Sequence, residues 1–140
     1  GWGRCLINVG GDLVWGAPPR GAPGWRVEIG GLQHPDLPVL HLSNLAVATS
    51  GDIEQFVVVD GKRYSHLIDP GTGLGLTTQC QVTVLASTGM EADSLASAFP
   101  VMGLNKAQEY LDKKAGITVY YLQKKGSVTT STLLGQKDRQ

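Results

Sequence analysis

Short apolar runs bounded by turn residues recur along this chain, and several alternate with a period of two, the pattern of strands rather than helices. R-C-L-I-N-V at 4–9 reads as a strand, and Gly10-Gly11 turns it into a second, D-L-V-W at 12–15. W-R-V-E-I at 25–29, V-L-H-L-S at 39–43 and Q-C-Q-V-T-V-L-A at 79–86 follow the same rule. Two closing strands, I-T-V-Y-Y-L-Q at 117–123 and S-V-T-T-S-T-L-L at 127–134, flank a K-K-G turn. Proline lacks the amide donor a ladder needs, so G-A-P-P-R-G-A-P-G at 16–24 is no central strand. It reads as an exposed hairpin loop, and H-P-D-L-P at 34–38 as another. L-A-V-A-T-S-G-D at 45–52 is apolar and then breaks into a small-residue turn at Thr49-Ser50-Gly51.

The clearest hairpin joins F-V-V-V at 56–59 to K-R-Y-S-H-L-I at 62–68 through Asp60-Gly61, whose positions tolerate positive φ. That register sets Val59 against Lys62, Val57 against Tyr64 and Gln55 against His66, with Tyr64, His66 and Ile68 on one face. Thr88-Gly-Met-Glu91 is a capping box that starts a helix near Gly89, running to about Val101, with Pro100 loosening its last turn. Asn105 with Gln108 predicts a second helix over 106–115, closed by Gly116. The sum is an α+β fold of mostly antiparallel sheet with two main helices, in one domain spanning 1–140.

Charge narrows the partners. Twelve basic and twelve acidic residues cancel, leaving no positive field to hold a nucleic acid backbone. No apolar run reaches membrane-spanning length. The chain opens directly on a strand pattern, which suggests a processed or truncated polypeptide. Cys5 and Cys80 have no metal-ligand spacing; both read as small buried hydrophobes, and a disulfide between them stays open.

Two stretches could carry chemistry. In A-D-S-L-A-S at 92–97, Asp93 and Ser97 lie four apart on the predicted helix, so their oxygens share one face. They suit either an exposed helix face or a hard cation such as Mg²⁺, which takes few protein ligands. In Y-S-H-L-I-D-P-G-T-G at 64–73, His66 offers a base near neutrality, followed by a glycine-rich turn that could leave N–H groups free for an anion. His34 and His41 read as ordinary loop and strand residues. A Ser50–His66–Asp69 hydrolase triad lacks the nucleophile elbow, and Gly10-Gly11-Asp12 lacks the dinucleotide fingerprint.

Taken in order, these pieces resemble the ApbE family, the FAD:protein FMN transferases. The matching elements are I-N-V-G-G-D at 7–12, A-T-S-G-D at 48–52, D-G-K-R-Y-S-H-L-I-D-P-G-T-G at 60–73, V-T-V-L-A at 82–86 and A-D-S-L-A-S-A-F at 92–99 with V-M-G at 101–103. The resemblance implies FAD as substrate with Mg²⁺, transfer of FMN to a Thr or Ser hydroxyl of a target protein, and release of AMP. It implies His66 as general base, and Asp93 and Ser97 as metal ligands, Ser97 standing where the family usually has Thr. Thr49, Ser50 and Gly51, with Tyr64, Ser65 and Ile68 around the strand, would line the flavin and phosphate region. Some relatives hydrolyse FAD to FMN and AMP. Typical acceptors are subunits of ion-pumping redox complexes, and the family suggests a periplasmic or membrane-anchored lipoprotein. Full-length relatives carry an N-terminal half with a K-G-x-x-x-D segment that this chain does not show. The resemblance is therefore to the C-terminal portion, an ApbE-like fold incomplete at the N-terminus, with the missing half or a second chain as a further partner. A catalytically incomplete FAD- and metal-binding subunit is the alternative it leaves.

Overall fold

A computed structural model describes residues 3–29, 36–52 and 55–135; His34, with the opening of its loop, lies outside them. The central sheet has six antiparallel strands in the order β1 (Leu6–Val9), β2 (Asp12–Trp15), β5 (Leu45–Gly51), β10 (Gln79–Ala86), β11 (Thr118–Lys125) and β12 (Val128–Leu134). Three two-stranded ladders stand beside it: β3 (Trp25–Glu28) with β4 (Val39–Leu42), β6 (Phe56–Val59) with β7 (Lys62–Ser65), and β8 (Ile68–Asp69) with β9 (Leu74–Gly75). Helices α1 (Gly89–Met102) and α2 (Leu104–Leu111) cover one face.

Alternation along the strands sorts the core into two layers. Ala46, Ala48, Val82, Val84, Ala86 and Val119 point at α1 and α2, where Ala92, Leu95, Ala96 and Phe99 meet them. Val47, Leu85, Trp15 and Tyr120 point the other way, onto Val27 and Ile29 of the β3–β4 side. Small residues on the helix-facing side of β5 let α1 lie close. The ring of Tyr110 closes this layer edge-on to Phe99, 5.8 Å between centroids at 66°.

Most predicted strands form, and Asp60-Gly61 turns with φ of 50° and 74° in the expected register. Several local expectations are corrected. The Thr49-Ser50-Gly51 turn is instead the end of β5, held open as strand by pairing with β10 through Gly51↔Gln81. Strand β7 stops at Ser65, so Ile68 belongs to the separate β8 and no longer extends the Tyr64 face. The 16–24 segment joins strands of different sheets rather than closing a hairpin, and it is tied down by Trp25 Nε1 donating to the Ala17 carbonyl at 3.0 Å. The last hairpin turns at Gly126-Ser127, since Lys125 still pairs with Val128. Strand β1 begins at Leu6 rather than at residue 4.

Thr88 caps α1 as expected, accepting from the Glu91 amide, and Pro100 sits buried within the last turn without ending it. Its ring packs into the core, and burial of that apolar surface offsets the missing amide. Helix α2 starts at Leu104 behind Gly103 with no side-chain cap. Gly103 at φ 79° links the helices directly, and Gln108 instead bonds Asp112 at the far end. Both cysteines are free thiols, Cys80 buried and Cys5 half-buried, so no disulfide joins them.

Candidate active site

Helix α1 presents one flank to β2. A Cβ on Gly89 would come within 2.9 Å of Val14 Cγ2, so the stripe Gly89, Asp93, Ser97, spaced four apart, is the side turned toward that strand. On β2, Leu13 and Trp15 join the opposite core layer, which leaves Val14 and Asp12 on the helix side. Because α1 runs antiparallel to β2, the step from Val14 to Asp12, about 6.6 Å, matches the step from Gly89 to Asp93, about 6 Å. The two carboxylates face one another. Burial raises the Asp12 carboxyl above its ordinary range, the charge of Asp93 raises it further, and the Thr49 backbone N–H opposes both. Asp93 is exposed and Ser97 half-buried one turn on.

Helix α1 and β5 run the same way, so the line from Asp93 to Ser97 leads toward the C-terminal end of β5. Ser50 shares the helix-facing side with Ala46 and Ala48. Thr49 does not: its hydroxyl is 2.9 Å from that of Thr83 on the opposite face. What Thr49 offers toward Asp12 is its amide.

The β6–β7 hairpin leaves the sheet just past this same end. His66 donates its amide to the Gln55 carbonyl at 3.1 Å, and Nδ1 lies 3.2 Å from that same oxygen. A carbonyl oxygen only accepts, so in the neutral ring this contact favours the proton on Nδ1 and the lone pair on Nε2, and the ring is exposed. Tyr64 is half-buried beneath the Lys62 ammonium, 5.3 Å from the ring centroid. Ser65 is buried, its hydroxyl accepting from the Leu67 amide at 3.1 Å, while Ile68 is exposed. The glycine-rich turn that follows holds no free anion nest. Gly71 N–H goes to the Asp69 carboxylate, Thr72 and Gly73 N–H to the Asp69 carbonyl, and Leu74 N–H to the Thr72 hydroxyl. Its Asx geometry satisfies every amide internally and makes it a stiff support.

Among the described residues no hydrogen bond joins His66 to Asp93 or Ser97; the topology brings them to one end of the sheet. Three further residues matter that sequence reasoning did not single out. Asp12 is one, and the signal was its place two residues before Val14 on the strand face turned to α1. The others are Asp52 and Arg63. Asp52 is 2% exposed. Its carboxylate accepts from the Cys80 amide at 3.2 Å and pairs with Arg63 Nη1 at 3.1 Å, while its carbonyl accepts from Arg63 Nη2. The guanidinium stacks on Phe56, 3.8 Å from the ring centroid. Beside this cluster a cavity of about 370 Å³ opens between the hairpin and the sheet, lined by Phe56, Arg63, Gln81, Leu122, Lys124 and Thr129 among others. Burial pushes the Cys80 thiol up to about 11, helped by the Asp52 charge and opposed by a hydrogen bond with Tyr121.

The donor set suits a hard cation: two carboxylates in mutual repulsion, with a hydroxyl one helical turn away. Among the described residues no three His, Cys, Asp or Glu side chains form a metal cage, so only an ion content with water or phosphate as remaining ligands fits here.

Comparison with known proteins identifies the family. The ApbE family model matches residues 1–121. The chain is 37% identical over 134 residues to the FAD:protein FMN transferase of Klebsiella pneumoniae (strain 342), covering 90% of this chain and 37% of that protein. The same figures hold for the FAD:protein FMN transferase of Escherichia coli (strain K12). The chain thus spans well under half the length of these curated relatives. Among solved structures, the flavinyl transferase ApbE of Pseudomonas stutzeri, apo form, superposes with a TM-score of 0.75 at 29% identity, over 92% of this chain and 40% of that one. A histidine-to-glycine mutant of the flavin transferase ApbE from Vibrio cholerae gives 0.78 at 28% identity, over 94% and 42%. On the length of the family match and the identity to its members, this chain belongs to the ApbE family.

Proposed function

We propose that this chain carries the catalytic residues of an FAD:protein FMN transferase. The acceptor is a Thr or Ser hydroxyl of a target flavoprotein, a subunit of an ion-pumping redox complex being the typical case. The hydroxyl oxygen attacks the FMN phosphorus of FAD, the bond to the bridging oxygen breaks, and AMP leaves. The hydroxyl proton passes to Nε2 of His66. The observation that carries this reading is the place of Nδ1, 3.2 Å from the Gln55 carbonyl, an acceptor that in the neutral ring favours Nε2 as the free base.

Asp93 and Ser97, with Asp12 beside them, would hold Mg²⁺. Bound there, the ion supplies charge neutralisation at the pyrophosphate oxygens. The carboxylates repel one another without it. Ser50 and the Gly51 end of β5 would border the phosphates, and Tyr64, Ser65 and Ile68 belong to the hairpin side that would border the flavin. Thr49 contributes through its amide, which meets the Asp12 carboxylate. The closest physical precedent is general: phosphoryl transfer asks a protein mainly for positioning and charge.

The test is incubation with FAD, Mg²⁺ and a flavin-accepting domain, scored by in-gel flavin fluorescence. Transfer needing Mg²⁺ and yielding AMP is expected. Equal transfer by His66→Ala and the unaltered protein would remove the imidazole from the mechanism. Flavin release as free FMN without an acceptor would instead indicate FAD pyrophosphatase chemistry at the same residues.

The coverage of relatives favours a second reading, in which the 140 residues bind FAD and metal but turn over only together with further FAD-contacting residues or a second chain. Transfer by the isolated chain at the rate of a full-length relative would refute it. Family membership also leads us to propose a periplasmic or membrane-anchored lipoprotein setting, which cell fractionation would test. Among the described residues no helix is long and apolar enough to cross a membrane.

A further inference from the structure

Two chain segments meet at the ring of His66, and both lead back to one buried ion pair. On the first lie Asp52 and Gln55, and the Gln55 carbonyl receives both the His66 amide and Nδ1. The second runs along β7 from Arg63 to His66. Arg63 bridges the two starting points: Nη1 lies 3.1 Å from the Asp52 carboxylate, and Nη2 donates to the Asp52 carbonyl. Asp52 is itself fastened to the sheet in both directions, donating its amide to the Cys80 carbonyl at 3.2 Å and accepting the Cys80 amide on its carboxylate. Phe56 backs the guanidinium from the other strand of the hairpin.

We infer that Arg63 is a positioning residue for His66: its fork on Asp52 fixes where the hairpin stands on the sheet, and thereby the place and tautomer of the imidazole. The inference rests on the reading of His66 as the base. A planar guanidinium with two engaged nitrogens sets both distance and rotation, which a lysine point charge does not. The neighbouring ties, Ser65 N–H to the Leu76 carbonyl at 2.8 Å and Leu76 N–H to the Leu67 carbonyl at 2.9 Å, run to the chain just past β9 and not to the six-stranded sheet, so they do not set where the hairpin stands on that sheet. Held by the clamp, the ring keeps its Nδ1–H on Gln55; released, it loses the partner that selects this tautomer.

Two measurements test this on the protein and its Arg63→Lys, Arg63→Ala and Asp52→Asn variants. One is the nitrogen NMR signature of the His66 ring, which separates Nδ1–H from Nε2–H. The other is flavin transfer, with each substitution also made on a His66→Ala background. Loss of the Nδ1–H signature is expected in all three variants, with kcat falling roughly tenfold to a hundredfold and KM for FAD within about twofold. On the His66→Ala background the same substitutions should lower transfer no further. Asp52→Asn keeps the shape of the buried carboxylate and tests the clamp should Arg63→Ala fail to fold. Variants that fold and keep the wild-type ring signature would overturn the inference, as would an equal loss of transfer with and without the imidazole. A His66→Ala protein as active as the parent would sink the reading of the base alone, because the ring signature still reports the clamp.

Discussion

Two carboxylates on this chain sit in opposite circumstances. Asp52 is buried and carries its own counter-charge: Arg63 takes one oxygen, the Cys80 amide the other. Asp93 is exposed, has Asp12 as its charged neighbour, and meets repulsion instead of a partner. The first is a closed arrangement that fastens a hairpin to the sheet. The second is open and unbalanced, which makes it the place where an added cation lowers the energy. Carboxylates in one small domain thus divide into framework and site according to whether the chain supplies the positive charge.

The largest effect that would break this division is on activity. His66→Ala should lower flavin transfer by about 10²–10⁴-fold, the usual worth of a general base. Asp93→Ala should fall by at least as much and lose its response to added Mg²⁺, read by in-gel fluorescence across a Mg²⁺ series. Neither should unfold the protein, since both residues are exposed.

Stability should show the reverse ranking. Removing one partner of a buried ion pair costs about 3–5 kcal/mol. Arg63 keeps 21% of its side chain exposed, so we expect Asp52→Ala toward the lower end, about 3 kcal/mol, in urea unfolding. Asp93→Ala should stay within about 0.5 kcal/mol, as surface substitutions do. A similar loss for the two would erase the distinction between framework and site.

How much of this was legible follows from how local each signal was. Asp93 and Ser97 are four apart on one helix, and His66 sits one pair beyond a hairpin whose Asp-Gly turn announces itself, so the sequence marked all three. Asp12 depends on β2, β5 and α1 meeting in register; next to it in sequence, Gly10-Gly11 reads as a strand turn and as part of a family element, neither of which gives Asp12 a partner. Thr49-Ser50-Gly51 looked like a turn because its residues are small. Ser50 is on the face that a helix packs over, and Gly51 passes so near β10 that a Cβ there would meet the Cys80 carbonyl at 2.8 Å; Thr49 faces the other way, onto Thr83. The Asp52–Arg63 pair spans 11 positions and ties the residue just past β5 to β7 of a separate ladder, and neither residue's own neighbourhood hints at the other. The second helix misled for a different reason. Asn105 and Gln108 have the spacing of a cap, yet Gly103 already joins the helices without a loop to cap.

Magnesium should sharpen the comparison at smaller scale. At ten times its dissociation constant an ion bound only by the folded state stabilises by about 1.4 kcal/mol. For a domain of this size that corresponds to a rise of about 3–6 °C in Tm by scanning calorimetry. Asp93→Ala should abolish the rise, and Arg63→Lys should leave it intact. A rise that survives Asp93→Ala would put the cation elsewhere.

The smallest expected effect is the most direct reading of the repulsion itself. Asp12 has its carboxyl raised from the ordinary 3.8, first by burial and then by Asp93. A raised acid is protonated more readily in the folded state than in the unfolded one. Its contribution to stability is therefore fully present below the unfolded value and is lost as pH climbs through the folded one. Asp12→Asn keeps an oxygen for the Thr49 amide and cannot ionise. Without Mg²⁺ its stability should equal that of the parent near pH 3 and pull ahead as pH rises past the ordinary carboxylate range, with the gap level by neutrality. Saturating Mg²⁺ should invert the order at neutral pH, because the parent alone keeps both charges for the ion. Urea midpoints measured from pH 3 to pH 7, with and without the ion, read both halves. A gap that ignores pH, or that Mg²⁺ leaves unchanged, would mean the two carboxylates do not act as a pair.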